Sequence, residues 1–288
     1  MILLEAADAM RAWSRARRAE GHTIGFAPTM GALHEGHASL ARAAVRECGV
    51  AVASIFVNPA QFAPNEDFDK YPRTFEADRA MLEGIGVHAL YLPSARDMYP
   101  ESYSTYVEVG GVSQGLCGGS RPHFFRGVAT VVTKLFNAVE PDRAYFGQKD
   151  AQQCAVIRRM ARDLDTGIEI VQMPIVREAD GLAMSSRNRY LGPEERTRAL
   201  CISRSLFEAG RRMGGGLKDA AAVAAGVREG MAETRIDYVE LVDAETMRPV
   251  AAVDRPVLLA AAAWVGDTRL IDNILFTPEA PKEDASCC

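Results

Sequence analysis

A chain of 288 residues, 48% hydrophobic and 25% charged, has the composition of an ordinary globular protein. At that length it buries roughly three quarters of the surface its unfolded form exposes. The formal net charge of −5 excludes the concentrated basic face of a nucleic-acid binder. No apolar stretch is long enough to predict a membrane span, and the amino terminus lacks the basic segment and apolar run of a secretory signal.

The first helix is expected to carry "RARR" (15–18) on a solvated face. Short β-rich runs then alternate with helical patterns. The strands expected are 23–28, 50–58, 87–93, 143–147 and 168–174, with helices at about 36–48, 73–84, 126–139 and 150–164. This alternation predicts an α/β fold, a Rossmann-like parallel sheet with flanking helices. After Pro174 the pattern changes to a polar loop, two helices around a "GGG" break, and antiparallel-looking strands in "RIDYVELVDA" and "VLLAAAAWVGDTRLIDNILF". The expected organisation is a nucleotide-binding domain over 1–175, a smaller C-terminal α+β lid domain over 176–283, and a tail at 284–288 outside the fold. Six cysteines, at 48, 117, 154, 201, 287 and 288, show neither a CxxC pair nor metal-site spacing, so reduced cytoplasmic thiols are expected.

Four segments carry chemistry. In "PTMGALHEGH" (28–37), His34 and His37 stand where a strand turns into a helix, flanked by Gly31 and Gly36. A helix start offers unpaired N–H groups and a partial positive charge, and histidines there can donate to phosphoryl oxygens. No P-loop occurs in the chain. "FVNPAQF" (56–62) begins at the carboxyl end of the next strand, where Gln61 has an amide suited to a hydroxyl and a carboxylate; Asn58 and Pro59 read equally well as turn formers. Asp67, Asp69 and Asp78 read as solvated charges, any one of which can help hold Mg2+. In "FGQKDAQQ" (146–153), Lys149 suits a phosphate, Asp150 is expected both to cap the next helix and to border the nucleotide, and Gln153 lies one helical turn beyond Lys149. Finally, "MSSRN" (184–188) is either a polar hinge or a mobile loop that closes over a triphosphate, and its position relative to the histidines distinguishes the two.

"HEGH" is similar to the HxGH signature of the nucleotidylyltransferase superfamily. In the order "PTMGALHEGH", "FVNPAQF", "YPRT", "FGQKDAQQ", "MSSRN", the chain resembles the pantothenate synthetase (pantoate–β-alanine ligase) family from about residue 20 to "DNILF" at 272–276. The resemblance implies ATP-dependent condensation of pantoate with β-alanine through pantoyl adenylate, with AMP and pyrophosphate released. It also implies Mg2+ and a homodimer. His37 would be the proton donor, with His34 and Lys149 beside it. Met30, Gly147, Gln148, Lys149, Asp150, Val176, Met184, Ser185, Ser186 and Arg187 would join the histidines around ATP. Gln61 and Gln153 would bind pantoate, and Asp78 is the nearest match to a carboxylate beside Mg2+. One departure stands out: where the family pattern is Arg-Pro-Gly-His-Phe-Arg-Gly, this chain has "RPHFFRG" (121–127), so Phe124 replaces the family histidine and His123 precedes it. On the residues alone, an adenylyltransferase with another acceptor and a nucleotide-binding module without turnover stay open.

Overall fold

The computed structural model describes residues 1–63 and 66–279. The expected tail at 284–288, with Cys287 and Cys288, lies outside the described residues. The amino-terminal part runs β1 (Ile2–Leu4), α1 (Ala7–Ala19), β2 (Ile24–Thr29), α2 (Glu35–Glu47), β3 (Val50–Ile55), a 3₁₀ turn (Pro59–Gln61), α3 (Phe75–Ile85), β4 (Ala89–Tyr91), α4 (Ala95–Met98), α5 (Leu116–Ser120), α6 (Phe124–Val139), β5 (Arg143–Gly147), a 3₁₀ turn (Gln148–Asp150), α7 (Ala151–Asp163) and β6 (Glu169–Met173). The remainder runs through a 3₁₀ turn (Ser186–Tyr190), α8 (Pro193–Gly214), α9 (Ala220–Gly230), β7 (Arg235–Asp243), β8 (Val257–Val265) and β9 (Thr268–Phe276).

The first six strands form one sheet in the order β1-β4-β3-β2-β5-β6, with every neighbouring pair parallel. Because successive side chains point to opposite faces, Ile24, Phe26, Val50 and Val52 join a core with α6 and α7, while Ala27, Ala51 and Ala53 pack on the α2 and α3 side. Burial on both faces is why these strands are apolar nearly throughout. The expected elements are present with trimmed ends: β3 stops at Ile55 and β4 spans only Ala89–Tyr91. The three-residue β1 was not expected, being too short and too exposed to leave a periodic signal.

The final strands form a separate antiparallel sheet, β7-β8-β9. The long final run divides at Gly266, whose positive φ of 57° makes the hairpin turn. Strand β8 is apolar for the same reason as the parallel strands. Leu258 and Ala260 face the amino-terminal core, whereas Val257, Leu259, Ala261 and Ala263 pack with α8 and α9.

The strand order fixes where a ligand sits. From β2 the chain steps through β3 to β4 on one side, then returns to pair β5 on the other side of β2. The carboxyl ends of β2 and β5 therefore border the crevice at the switch in direction, the usual ligand position in an open parallel sheet. "PTMGALHEGH" leaves β2 there, and "GQKD" leaves β5.

Candidate active site

The turn after β2 is held from beneath. Ala32 has a φ of 51°, unusual for a residue with a side chain. Its N–H donates to Asp78 Oδ2 (2.8 Å) and the Leu33 N–H to Asp78 Oδ1 (2.8 Å), while Thr74 Oγ1 also donates to Oδ1 (3.0 Å). Asp78 is 2% exposed and lies outside the cleft lining. The structure therefore departs from the reading of Asp78 as a Mg2+ neighbour: its carboxylate secures the strained histidine turn.

His34 then caps α2, its Nδ1 accepting the Gly36 N–H at 3.1 Å, while His37 Nδ1 faces the His34 N–H at 3.4 Å. The rings lie 4.1 Å apart, tilted by 32°. A Cβ at Gly36 would fall 2.9 Å from the His34 ring, so a side chain there would push aside the ring that caps α2. Burial, reinforced by the Lys149 charge, lowers the His34 pKa to about 4. His37 is pushed well below the ordinary histidine range by burial first, then by His34 and Lys149. Both imidazoles are thus neutral at pH 7. With Nδ1 turned to backbone N–H groups, each carries its proton on Nε2 as a donor.

Across the crevice, Lys149 Nζ lies 3.0 Å from Asp150 Oδ2. Asp150 occupies the cap position of α7 but makes no capping hydrogen bond. The expected dual role is halved, because its carboxylate pairs with Lys149 instead. Gln153, one turn on, lines the same cleft as Met30, His34, His37, Lys149 and Gln61. Gly147, Val176 and Met184 line its adjoining part. Gln148 does not line the cleft, and its side-chain amide donates to Asn273 on β9 (3.2 Å).

Gln61 is positioned by residues that sequence reading left as turn formers or did not name. Asn58, 1% exposed, donates through Nδ2 to Gln61 Oε1 (2.8 Å) and to the Gly127 carbonyl (3.2 Å), and accepts the Tyr99 hydroxyl at Oδ1 (2.8 Å). With its carbonyl engaged, Gln61 makes no bond through its NH2 among the described residues, and that group can serve a ligand. Arg121 Nη2 donates to the Gln61 main-chain carbonyl (2.8 Å), and its guanidinium forms a fork with Glu66. The Phe124 ring stacks 3.9 Å from the Arg121 guanidinium carbon and lines the cleft, whereas His123 is exposed at the start of α6 without a capping bond.

The serine loop meets the histidine turn at one cleft, with Ser185, Ser186 and Arg187 lining it beside His34 and His37. The Ser185 hydroxyl accepts the Arg187 N–H, and Ser186 Oγ lies 3.4 Å from the Tyr71 hydroxyl. Arg187 makes a two-pronged pair with Asp67, 3.0 Å from Nε and 2.8 Å from Nη2. Burial alone would raise the Asp67 pKa, but the Arg187 hydrogen bonds and charge outweigh it and the net shift is downward. Asp67 thus has a specific partner 120 positions away, which no local pattern could have signalled.

The cleft is thus lined by neutral histidine donors, a lysine, a serine loop and two glutamines. Among the described residues no cluster of three or more His, Cys, Asp or Glu forms a metal cage, and no helix is long and apolar enough to cross a membrane. A family model described as Pantoate-beta-alanine ligase matches residues 2–275. The chain is 54% identical over 279 residues to a pantothenate synthetase of Moorella thermoacetica, covering 96% of this chain and 99% of that one. A crystal structure of pantothenate synthetase from Thermus thermophilus superposes with a TM-score of 0.89 at 42% identity, covering 95% of this chain and 99% of that one. A Francisella tularensis pantoate-beta-alanine ligase, described as complexed with beta-gamma ATP and beta-alanine, matches with a TM-score of 0.77 at 31% identity over 96% of this chain and 97% of that one. The histidine turn, the glutamine pair and the serine loop all fall within the matched span, and the chain belongs to the pantoate–β-alanine ligase family.

Proposed function

We propose that this cleft performs the family's two-step condensation, ATP lying along the His34–His37, Lys149 and serine-loop side and pantoate between Gln61 and Gln153. The carrying observation is that both glutamines line the same cleft as the two histidines and Lys149. In the first step a pantoate carboxylate oxygen attacks the α-phosphorus of ATP and pyrophosphate leaves. In the second, the amine of β-alanine attacks the acyl carbon of pantoyl adenylate, loses a proton, and AMP leaves.

No side chain becomes a covalent nucleophile; the work is positioning and charge stabilisation. The Nε2–H groups of His34 and His37 donate to phosphoryl oxygens, and the start of α2 adds its positive end. Lys149 contributes a full charge that Asp150 keeps close to its own position. Gly147, Val176 and Met184 border the nucleotide, while Ser185, Ser186 and Arg187 approach its phosphates. Gln148, whose side chain and main-chain carbonyl are both bonded to Asn273, is not assigned a contact with ATP. The Gln61 NH2 binds pantoate beside the β-alanine position.

Mg2+ binds through phosphate oxygens, water and few carboxylates, so no protein cage is needed. Both carboxylates lining the cleft among the described residues are paired, Asp272 with Arg177 and Asp150 with Lys149; Asp150, more exposed and next to the lysine assigned to the phosphates, is the better placed to share the ion. Bound Mg2+ would neutralise charge on the departing pyrophosphate. A cytoplasmic location, expected from the unpaired thiols, a lid-like part over 176–283, expected from the change in texture after Pro174, and a homodimer, implied by the family resemblance, are further parts of this proposal.

The test is pyrophosphate–ATP exchange with candidate acids, followed by β-alanine-dependent AMP release. Exchange that requires pantoate, together with AMP release falling about a hundredfold or more in His37→Ala, is the expected result. Exchange only with another acid would identify an adenylyltransferase with a different acceptor, and absence of both activities would identify a module without turnover. Equal activity in wild type and His37→Ala would remove His37 from its assigned role.

A further inference from the structure

Among the described residues, one buried dipeptide on β9 meets both arms of the nucleotide side. Asn273, 3% exposed, gives its side-chain NH2 to the carbonyls of Gln148 (2.9 Å) and Lys149 (3.0 Å), and its Oδ1 accepts the Gln148 side-chain amide (3.2 Å). Both amide hydrogens and the amide oxygen are thus spent on the turn that carries Lys149. Its neighbour Asp272, also 3% exposed, accepts two hydrogen bonds from Arg177 (2.7 and 2.9 Å) and one from the Asn273 N–H (2.7 Å). Arg177 stands at the head of the loop leading to Ser185–Arg187, donates to the Gly181 carbonyl (3.1 Å), and lies over the Phe207 ring on α8. The Lys149 turn belongs to the parallel sheet, and β9 belongs to the other.

We propose that Asn273 is a positioning residue for ATP: it sets the place of Lys149 through the main chain of the Gln148–Lys149 turn, while Asp272 fixes the base of the serine loop through Arg177. The inference rests on the assignment of Lys149 to the ATP phosphates. Two adjacent side chains of the C-terminal sheet thereby fix the spacing between the cation and the hydroxyl-bearing loop, acting through the Gln148–Lys149 main chain and through Arg177. A two-pronged Arg–carboxylate pair and a fully committed amide are orientation-specific, which suits them to hold geometry. Other donors of the cleft, including Gln61 and Gln153, have no bond to this dipeptide and should be indifferent to it.

The decisive substitution is Asn273→Asp, which keeps the shape but turns a carboxylate oxygen toward two carbonyl oxygens. Full-length protein is compared with Asn273→Ser and Lys149→Met by calorimetric titration with ATP, and by pantoate and ATP KM values in pyrophosphate exchange. Because a displacement of about 1 Å can cost about a hundredfold, the expected result is a weakening of ATP binding by between about tenfold and a hundredfold in Asn273→Asp, with pantoate KM within about twofold of wild type. In the Lys149→Met background the same substitution should add little, since both changes act through one contact. Unchanged ATP affinity in folded Asn273→Asp or Asn273→Ser overturns the proposal, as does full additivity with Lys149→Met or an equal loss for pantoate. Failure of both Asn273 variants to fold assigns the dipeptide to overall stability and overturns it equally. Wild-type protein without pantoate-dependent exchange would instead count against the ligase assignment, a result separable from all of these.

Discussion

His34 and His37 each turn Nδ1 to a backbone N–H, and burial keeps both uncharged far below the ordinary histidine range. The unfolded chain binds a proton at each near pH 6.5, whereas the folded chain refuses one at His34 until about pH 4 and holds out at His37 as well. Between those values the unfolded state therefore carries more protons, and stability falls as pH is lowered. The melting temperature of ATP-free protein should be flat above pH 7 and decline from about 6.5 toward 4, with a shallower decline in a His34→Asn/His37→Asn variant. Between pH 6.5 and 5 most carboxylates stay ionised, and His88, also lowered by burial, is common to both proteins, so the difference in slope reports His34 and His37. An unaltered slope in the double variant would show that these rings are not the responsible groups. At this scale the histidine turn was legible in advance because two histidines and a glycine at a strand-to-helix turn form a local pattern. Asp78, Asn58 and Asp67 were not. Their partners lie at positions 32–33, 127 and 187, and only the folded chain brings them together.

The helices and strands around the cleft were largely readable because doubly buried strands and one-sided helices have distinct periods. What periodicity cannot convey is how closely two elements approach. Helix α6 crosses the Pro59–Gln61 turn so tightly that a Cβ on Gly127 would sit 2.1 Å from the Ala60 carbonyl oxygen, a clash with main chain that no rotamer change relieves. Gly127 also offers its own carbonyl to Asn58, which holds the Gln61 amide. Gly127→Ala must therefore push the turn and α6 apart, costing about 1–3 kcal/mol as an overpacked contact. The displacement falls on the acid side of the cleft. Pantoate KM should rise about tenfold or more while ATP affinity changes little, the reverse of the Asn273→Asp pattern. Steady-state kinetics on the purified variant, with a denaturant melt beside them, check both parts. An unchanged pantoate KM would show that Gln61 does not depend on this contact.

At the scale of the whole molecule, the change in texture after Pro174 made two sheets predictable, but gave no measure of how firmly they are joined. Val242, Leu258 and Ala260 of the antiparallel sheet share one buried cluster with Phe125, Val128 and Ala151 of the parallel part. Buried polar ties cross the same boundary, from Asn273 to the Gln148–Lys149 turn. A C-terminal part that unfolded first would uncover that shared apolar surface and leave the Gln148 and Lys149 carbonyls without their amide partner, so separate melting is unfavourable on both counts. Thermal unfolding is accordingly expected as one transition by scanning calorimetry, with calorimetric and van't Hoff enthalpies in agreement. Two resolved transitions would mean that the shared core and the Asn273 ties couple the two parts too weakly to make them unfold together.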